Sequence, residues 1–414
     1  MKTVGLLLVL LLAAALPAVC GTYLMNDTGG PIIGLRVVFS APVRVTAFGD
    51  VLTTVEPAGE STEFVFSGGE VEAWGGHWLS WDPESATLVT YELLRSAPEQ
   101  KPIEAIGTSS TICLGEIVEV DRRLSGLPYT YYYYAPKEMN PDELQTLVHI
   151  ATASPPIGVI DESEEWARGQ LANYVTSGLA DTTGLIMFSV AIPQFVRDNP
   201  RSGCSQVLQR DNFVVSRVEP QFCRPDLKFL DVVSQFTDLL RHAGCKVNDR
   251  FFVTGTSNGG VWAHRFALLH PHHVLGVAAG STGCWTMPMK RYDGRNMPYH
   301  VGIDGLRELG LEEFDAEAVA DIPFFVFIGE TDTNDPFVER PSGTYGYSEE
   351  EIRWYRHTFG ETGQKRAEAF HNALLSLGAE STFTVYPGVG HHLNTAMKND
   401  VIRFFTRILA ASKN

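Results

Sequence analysis

Three short polar stretches carry the residue types that acyl-transfer chemistry needs. The first is Gly255-Thr256-Ser257-Asn258-Gly259, set between the apolar run beginning at Phe251 and a helical stripe that reaches His270. This G-x-S-x-G has a strand before it and a helix after it, and its glycines permit a turn so tight that a side chain at either place would collide with a neighbouring element. Such a turn lifts the Ser257 hydroxyl clear of the sheet. A serine is un-ionised at neutral pH, so it needs a base to become a nucleophile, and the base needs an orienting acid. The bland alternative is a Gly-rich loop whose serine caps the next helix.

The other two stretches supply the partners, in the order Ser, Asp, His. After Pro323-Phe-Phe-Val-Phe-Ile comes Gly329-Glu-Thr-Asp332-Thr-Asn-Asp335-Pro, and after a strand ending at Tyr386 comes Pro387-Gly-Val-Gly-His391-His392. Both are polar loops at the carboxyl end of a strand. Asp332 is the expected acid, with Asp335 as a rival that otherwise reads as a turn-former. His391, directly after the Gly390 turn, is the expected base, with His392 as its rival. Such a site needs no cofactor, so activity should persist in chelator and rise through a histidine titration, ordinarily near about 6.5.

Positioning these loops requires a mostly parallel sheet. Beyond residue 110 strand-like runs alternate with amphipathic stripes: Tyr129 to Ala135, Thr146 to Ala151, Leu185 to Ala191, Phe251 to Gly255, Val274 to Ala279, Pro323 to Gly329 and Thr382 to Tyr386. That alternation implies an α/β fold with helices on both faces of the sheet. The clearest helix opens at Asp226 after Pro225 and repeats apolar residues through Phe229, Val232, Val233, Phe236, Leu239, Leu240 and Ala243 before Gly244. The last helix carries Val401, Phe404, Phe405, Ile408 and Leu409 on one stripe.

Residues 22–95 read differently. Alternating runs at Leu35 to Phe39, Val43 to Ala47, Phe64 to Phe66, Trp78 to Leu79 and Leu88 to Tyr91, broken by Gly and Pro, predict a small all-β domain. Trp74, Trp78 and Trp81 belong to it, as its core or as a platform for a polymer. Residues 96–110 form a polar, Pro-bearing linker, and 111–414 the catalytic domain. The N-terminal apolar run Val4 to Leu16, about 13 residues, is shorter than the roughly 20 of a membrane-spanning helix, so residues 1–21 read as a cleaved secretory leader rather than an anchor. Pro17 and Val19 make a poor lipidation box around Cys20.

Composition closes off other classes. The chain has 414 residues, 44% of them hydrophobic and 20% charged, which places it among globular proteins. A net charge of −17, spread along the sequence, repels phosphate backbones and argues against a nucleic-acid partner. Without Cys20 there remain Cys113, Cys204, Cys223, Cys245 and Cys284, an odd number, with Cys204–Cys223 and Cys245–Cys284 as pairings an extracytoplasmic location would permit. No C-x-x-C or H-E-x-x-H occurs, so no metal is expected.

With these motifs the chain resembles the α/β-hydrolase family, and within it secreted esterases of the polyhydroxyalkanoate-depolymerase and feruloyl-esterase kind. The likeness rests on Tyr129 to Pro136, the G-T-S-N-G-G elbow with its helix and the following V-L-G-V-A-A-G-S strand, the G-E-T-D loop and the P-G-V-G-H loop, spanning about residues 120 to 412. It implies a serine carboxylic-ester hydrolase working through an acyl-enzyme on polyester, hydroxyalkanoate or aromatic esters. The chain departs from the family at its third strand, where His149 lacks the following glycine whose loop gives an oxyanion-hole amide. The backbone N–H of Asn258, at a helix N-terminus, should be the first donor, and an amide near Thr152 or Ala153 the second. Aromatic inserts at Trp285 to Lys290, Pro298 to His300 and Thr344 to Arg356 would wall an apolar cleft or pack onto the sheet. Two rivals stand beside the esterase. A prolyl-oligopeptidase-like peptidase would need a propeller for which the N-terminal region is too short. A non-catalytic binding protein on a hydrolase scaffold would have no use for a complete Ser, Asp and His set.

Overall fold

The computed structural model describes residues 20–25, 34–48, 54–56, 60–67, 76–82, 88–94, 112–152, 160–193, 204–214, 217–339 and 346–411. Most of the leader, Trp74, the 96–110 linker and Ala153 lie outside them. The chain divides into two units, residues 1–106 and 107–414.

In the first unit six strands, Cys20–Met25, Gly34–Phe48, Thr54–Glu56, Glu60–Ser67, Gly76–Asp82 and Leu88–Leu94, form one antiparallel sheet. The runs around Leu35 and Val43, expected as separate strands, are one strand of 15 residues. Its register against Glu60–Ser67 shifts between Val38 and Val43, around Pro42, which has no N–H to give the ladder. Its other edge is shared, Gly34 to Phe39 pairing with Leu88–Leu94 and Arg44 to Phe48 with Gly76–Asp82.

The second unit is built on an eight-stranded sheet. Its strands are β1 (Ile117–Val120), β2 (Tyr131–Tyr134), β3 (Leu147–Ile150), β4 (Ile186–Val190), β5 (Phe251–Thr256), β6 (Val274–Gly280), β7 (Phe324–Gly329) and β8 (Ser381–Tyr386). Their spatial order is β1-β2-β4-β3-β5-β6-β7-β8, antiparallel on both sides of β2 and parallel from β4 onward. The seven expected strands are all present. The edge strand β1 was not anticipated, because four residues, Ile-Val-Glu-Val, give too short a run to stand out from a loop.

Alternation along the strands sorts the side chains into two cores. Leu147, Phe188, Phe251, Val253, Val277 and Val326 face one, with Phe229, Val232 and Phe236 of α2 (Pro225–His242), Trp262 and Phe266 of α3 (Asn258–Leu269) and Phe370 and Leu374 of α5 (Gly363–Leu377). Val148, Ile150, Met187, Phe252, Phe325 and Phe327 face the other, with Leu171 and Tyr174 of α1 (Ile160–Val175) and Val401, Phe404 and Phe405 of α6 (Thr395–Ala411). Because both faces are covered, the central strands carry apolar side chains on both faces rather than on every second residue alone, with the polar His149, Ser189 and Thr254 buried among them.

Helix α2 begins one residue before its expected start. Pro225 takes the first helical position, where its missing N–H costs nothing, and Arg224 precedes it with a left-handed φ of 46°. Asp226 in the first turn serves a different purpose. Fully buried, it takes both Nε and Nη2 of Arg224, at 3.0 and 2.8 Å, and Nε2 of His270 at 3.0 Å, joining the start of α2 to the end of α3. Burial works against its charge, but the bonds from His270 and Arg224 outweigh it and hold the carboxyl well below its ordinary value of 3.8. A carboxyl with a depressed folded-state value contributes stability above that ordinary value and loses it as pH falls toward the depressed one. Asp226→Ala is therefore expected to cost about 3–5 kcal/mol at neutral pH, the range for breaking a buried ion pair. In a denaturant titration the gap between wild type and variant should close as pH is lowered below about 4; a gap independent of pH would show that packing, not charge, is at work.

Cys113, Cys204, Cys223, Cys245 and Cys284 are all free thiols, so neither Cys204–Cys223 nor Cys245–Cys284 is formed. Among the described residues no helix is long and apolar enough to cross a membrane.

Candidate active site

The parallel pairing brings three strand ends to one edge. Thr256 stands opposite Gly280 across β5 and β6, Gly280 opposite Phe327 across β6 and β7, and Gly329 opposite Tyr386 across β7 and β8. The loops carrying Ser257, Asp332 and His391 leave from these carboxyl ends.

Ser257 sits at φ 56° and ψ −126°, a conformation that costs a non-glycine residue of order 1–3 kcal/mol and persists only where the surroundings impose it. The surroundings here are close backbone contacts. A Cβ on Gly255 would fall 2.4 Å from the carbonyl carbon of Gly259, and one on Gly259 would fall 2.4 Å from the Ala151 oxygen. The Ser257 N–H donates to the Gly280 carbonyl at 3.0 Å and fixes the turn to β6. The hydroxyl makes no capping bond to α3, so the helix-cap reading does not account for it.

Asp332 and His391 are in contact. Nδ1 of His391 lies 3.0 Å from both carboxylate oxygens of Asp332. The carboxylate is only 2% exposed and the imidazole 28%, which leaves the carboxylate shielded and the imidazole the more open of the pair. Asp332 is fixed by its own turn, accepting from the Asn334 N–H at 3.1 Å. The two loops are laced together, Glu330 N–H to Tyr386 O and Thr331 N–H to Val389 O, each at 2.9 Å. With Nδ1 facing the carboxylate, Nε2 is the nitrogen left for chemistry.

The rivals are placed elsewhere. Asp335 is buried and accepts from Nη2 of the fully buried Arg366 at 2.7 Å and from the Phe337 N–H at 3.0 Å. His392 is exposed, its N–H bonded to the Gly390 carbonyl at 2.9 Å. Among the described residues no hydrogen bond joins the Ser257 hydroxyl to either histidine, and catalytic bonds of this kind are commonly long without substrate.

Asn258 is the buried first residue of α3, directly after Ser257, and Thr152 is the buried second residue beyond β3. His149 sits one layer below that edge, within β3. Both of its ring nitrogens are buried without a partner among the described residues, Phe188, Phe229 and Trp262 surround it, and burial pushes its pKa down to about 3. It is a neutral core residue. Gln206 was invisible in the sequence: its Nε2 donates to Thr152 Oγ1 at 3.0 Å across 54 residues, and no local pattern connects the two.

The aromatic inserts pack inward. Trp285, Met287, Tyr299, Tyr347 and Tyr355 are all buried, and the Trp285 ring stacks on Phe370 of α5 at 4.7 Å. Of the two roles open to them in the sequence, packing onto the sheet is the one these residues fill. Among the described residues no group of His, Cys, Asp or Glu is arranged to hold a metal ion.

The strand order, the elbow after the fifth strand, the acid loop after the seventh and the histidine loop after the eighth decide the architecture. This is the α/β-hydrolase fold. No protein-family model matches the chain, and a search of curated proteins gives no match. Among solved structures it is similar to poly(aspartic acid) hydrolase-1 from Sphingomonas sp. KT-1, with 18% identity and a TM-score of 0.46 over 67% of this chain and 93% of that one. A poly(3-hydroxybutyrate) depolymerase from Bordetella parapertussis gives 18% identity and a TM-score of 0.44 over 70% and 89%. A ferulic acid esterase gives 14% and 0.41 over 71% and 97%. At 14–18% identity and TM-scores below 0.5, these likenesses assign this chain neither a substrate nor a mechanism.

Proposed function

We propose that this α/β-hydrolase is a secreted serine carboxylic-ester hydrolase acting on polyester, hydroxyalkanoate or aromatic esters. The observation that carries the reading is the Asp332–His391 pair at the same sheet edge as a serine held at positive φ. In the cycle His391 Nε2 takes the Ser257 proton as Oγ bonds to the ester carbonyl carbon, and the carbonyl π pair moves onto its oxygen. That oxyanion collapses, the bond to the alcohol oxygen breaks, and the imidazolium returns its proton to the leaving alkoxide. Water repeats the steps on the acyl-enzyme and releases the acid. Asp332 holds the imidazole in the Nδ1–H form and stabilises it when charged.

Export fits a substrate too large to import, and removal of residues 1–21 would take the first two residues of the strand Cys20–Met25 with it. The net charge of −17 favours a neutral ester over a polyanion. A neutral p-nitrophenyl ester is expected to show a higher kcat/KM than its dicarboxylate half-ester at low salt, the ratio shrinking toward 1 at about 0.5 M salt as screening shortens the reach of the field. A ratio insensitive to salt would mean that the charge does not act at the site.

Incubation with a fluorophosphonate, followed by peptide mapping, tests the function itself: the label is expected on Ser257. An unlabelled protein would favour the non-catalytic scaffold, and faster cleavage of peptide anilides than of p-nitrophenyl esters would favour the peptidase.

A further inference from the structure

The expected second oxyanion donor is a backbone amide, yet the loop that supplies it in the resembled family lacks its glycine here. The structure offers another donor at the same place. The Ala151 N–H still bonds the Thr254 carbonyl of β5, at 2.8 Å, so Thr152 is the first residue free of the ladder. Its backbone touches the elbow: a Cβ on Gly259 would lie 3.0 Å from the Thr152 oxygen. Gln206, in a 3-10 turn over Ser205–Val207 and 2% exposed, sends Nε2 to Thr152 Oγ1 at 3.0 Å and to the Ile192 carbonyl at 3.3 Å.

The direction of these bonds decides the role of the hydroxyl. The Ile192 carbonyl only accepts, so the amide nitrogen of Gln206 must face it, and the same nitrogen reaches Thr152. One lone pair of Oγ1 is therefore occupied by a donated N–H, and the hydroxyl proton cannot point at Gln206. Among the described residues that proton has no acceptor, although Thr152 is buried. Accepting a hydrogen bond also polarises the O–H and makes it a better donor.

Taking Ser257 as an acyl-transfer nucleophile, we propose that the Thr152 hydroxyl donates to the oxyanion opposite the Asn258 amide, and that Gln206 is the positioning residue that aims it. The acceptor missing in the resting site is the charge that develops during attack, which makes this bond one of the transition state rather than of the bound substrate.

The test is steady-state kinetics on a p-nitrophenyl ester, with active sites counted by fluorophosphonate and inhibition measured with a trifluoromethyl ketone. Ser257 Oγ adds to the ketone carbon, its proton passes to His391, and the adduct carries the same oxyanion. Thr152→Val and Thr152→Ala are expected to lower kcat about 10²–10³-fold with KM changed less than about threefold, and to weaken the ketone by a similar factor. Thr152→Ser should recover most of that loss. Gln206→Leu should lower kcat in the wild-type background and add little to Thr152→Val, because the two act as one unit. Wild-type kcat and ketone affinity in both Thr152 variants would overturn the proposal and return the role to a backbone amide. Losses that multiply would overturn the part assigned to Gln206. Failure of the wild-type protein to label at Ser257 would instead remove the acyl-transfer reading underneath.

Discussion

Ser257→Ala is expected to lower kcat for ester hydrolysis by about six orders of magnitude while leaving the fold intact. The size follows from the nucleophile and base acting as one unit, since without the hydroxyl no acyl-enzyme forms and His391 has no proton to move. The fold should survive because the hydroxyl makes no bond to the helix it precedes, so deleting it orphans no buried donor. Alanine keeps the strain of the 56° φ, whereas Ser257→Gly removes it and should raise the melting temperature with activity equally lost. Kinetics on active-site-counted protein and thermal melts check both, and a Ser257→Ala protein retaining a tenth of wild-type kcat would refute the nucleophile.

The second large effect separates two carboxylates three positions apart. Asp332→Asn should lower kcat about 10⁴-fold with little change in melting, because an amide facing Nδ1 favours the wrong imidazole tautomer while the loop keeps its geometry. Asp335→Ala should do the reverse. It strips Arg366, fully buried, of its carboxylate, and an uncompensated buried charge costs about 3–5 kcal/mol. A large loss of kcat in a stably folded Asp335→Ala, with Asp332→Asn near wild type, would exchange their roles. The same logic applies to the histidines, where His391→Ala should abolish turnover and His392→Ala should leave most of it, since only His391 meets a carboxylate.

Much of this was legible along the chain because the determinants are local. An apolar strand, a tight Gly-x-Ser-x-Gly turn and an amphipathic stripe are written within twenty residues, and the loops around Asp332 and His391 each follow a strand visible as a short apolar run. The start of α2 was misplaced by one residue because Asp226 looked like a helix opener, while its buried bonds to Arg224 and His270 depend on a partner 44 residues away. In the sequence the long strand Gly34–Phe48 has the look of two runs because a proline interrupts the alternation, and only its partner strands show that the chain continues through the bulge.

The sequence by itself determined the class of fold, the order of the loops that carry Ser257, Asp332 and His391 and the edge of the sheet at which those loops gather, since strand period, turn chemistry and chain order are properties of contiguous residues. Tertiary structure alone decided which of two aspartates faces which of two histidines, that the tryptophan and tyrosine inserts fill the interior, and that Gln206 grips Thr152. Each of those outcomes is set by distances between residues far apart in the chain, where burial and the need to satisfy every polar atom, not local propensity, select the pairing.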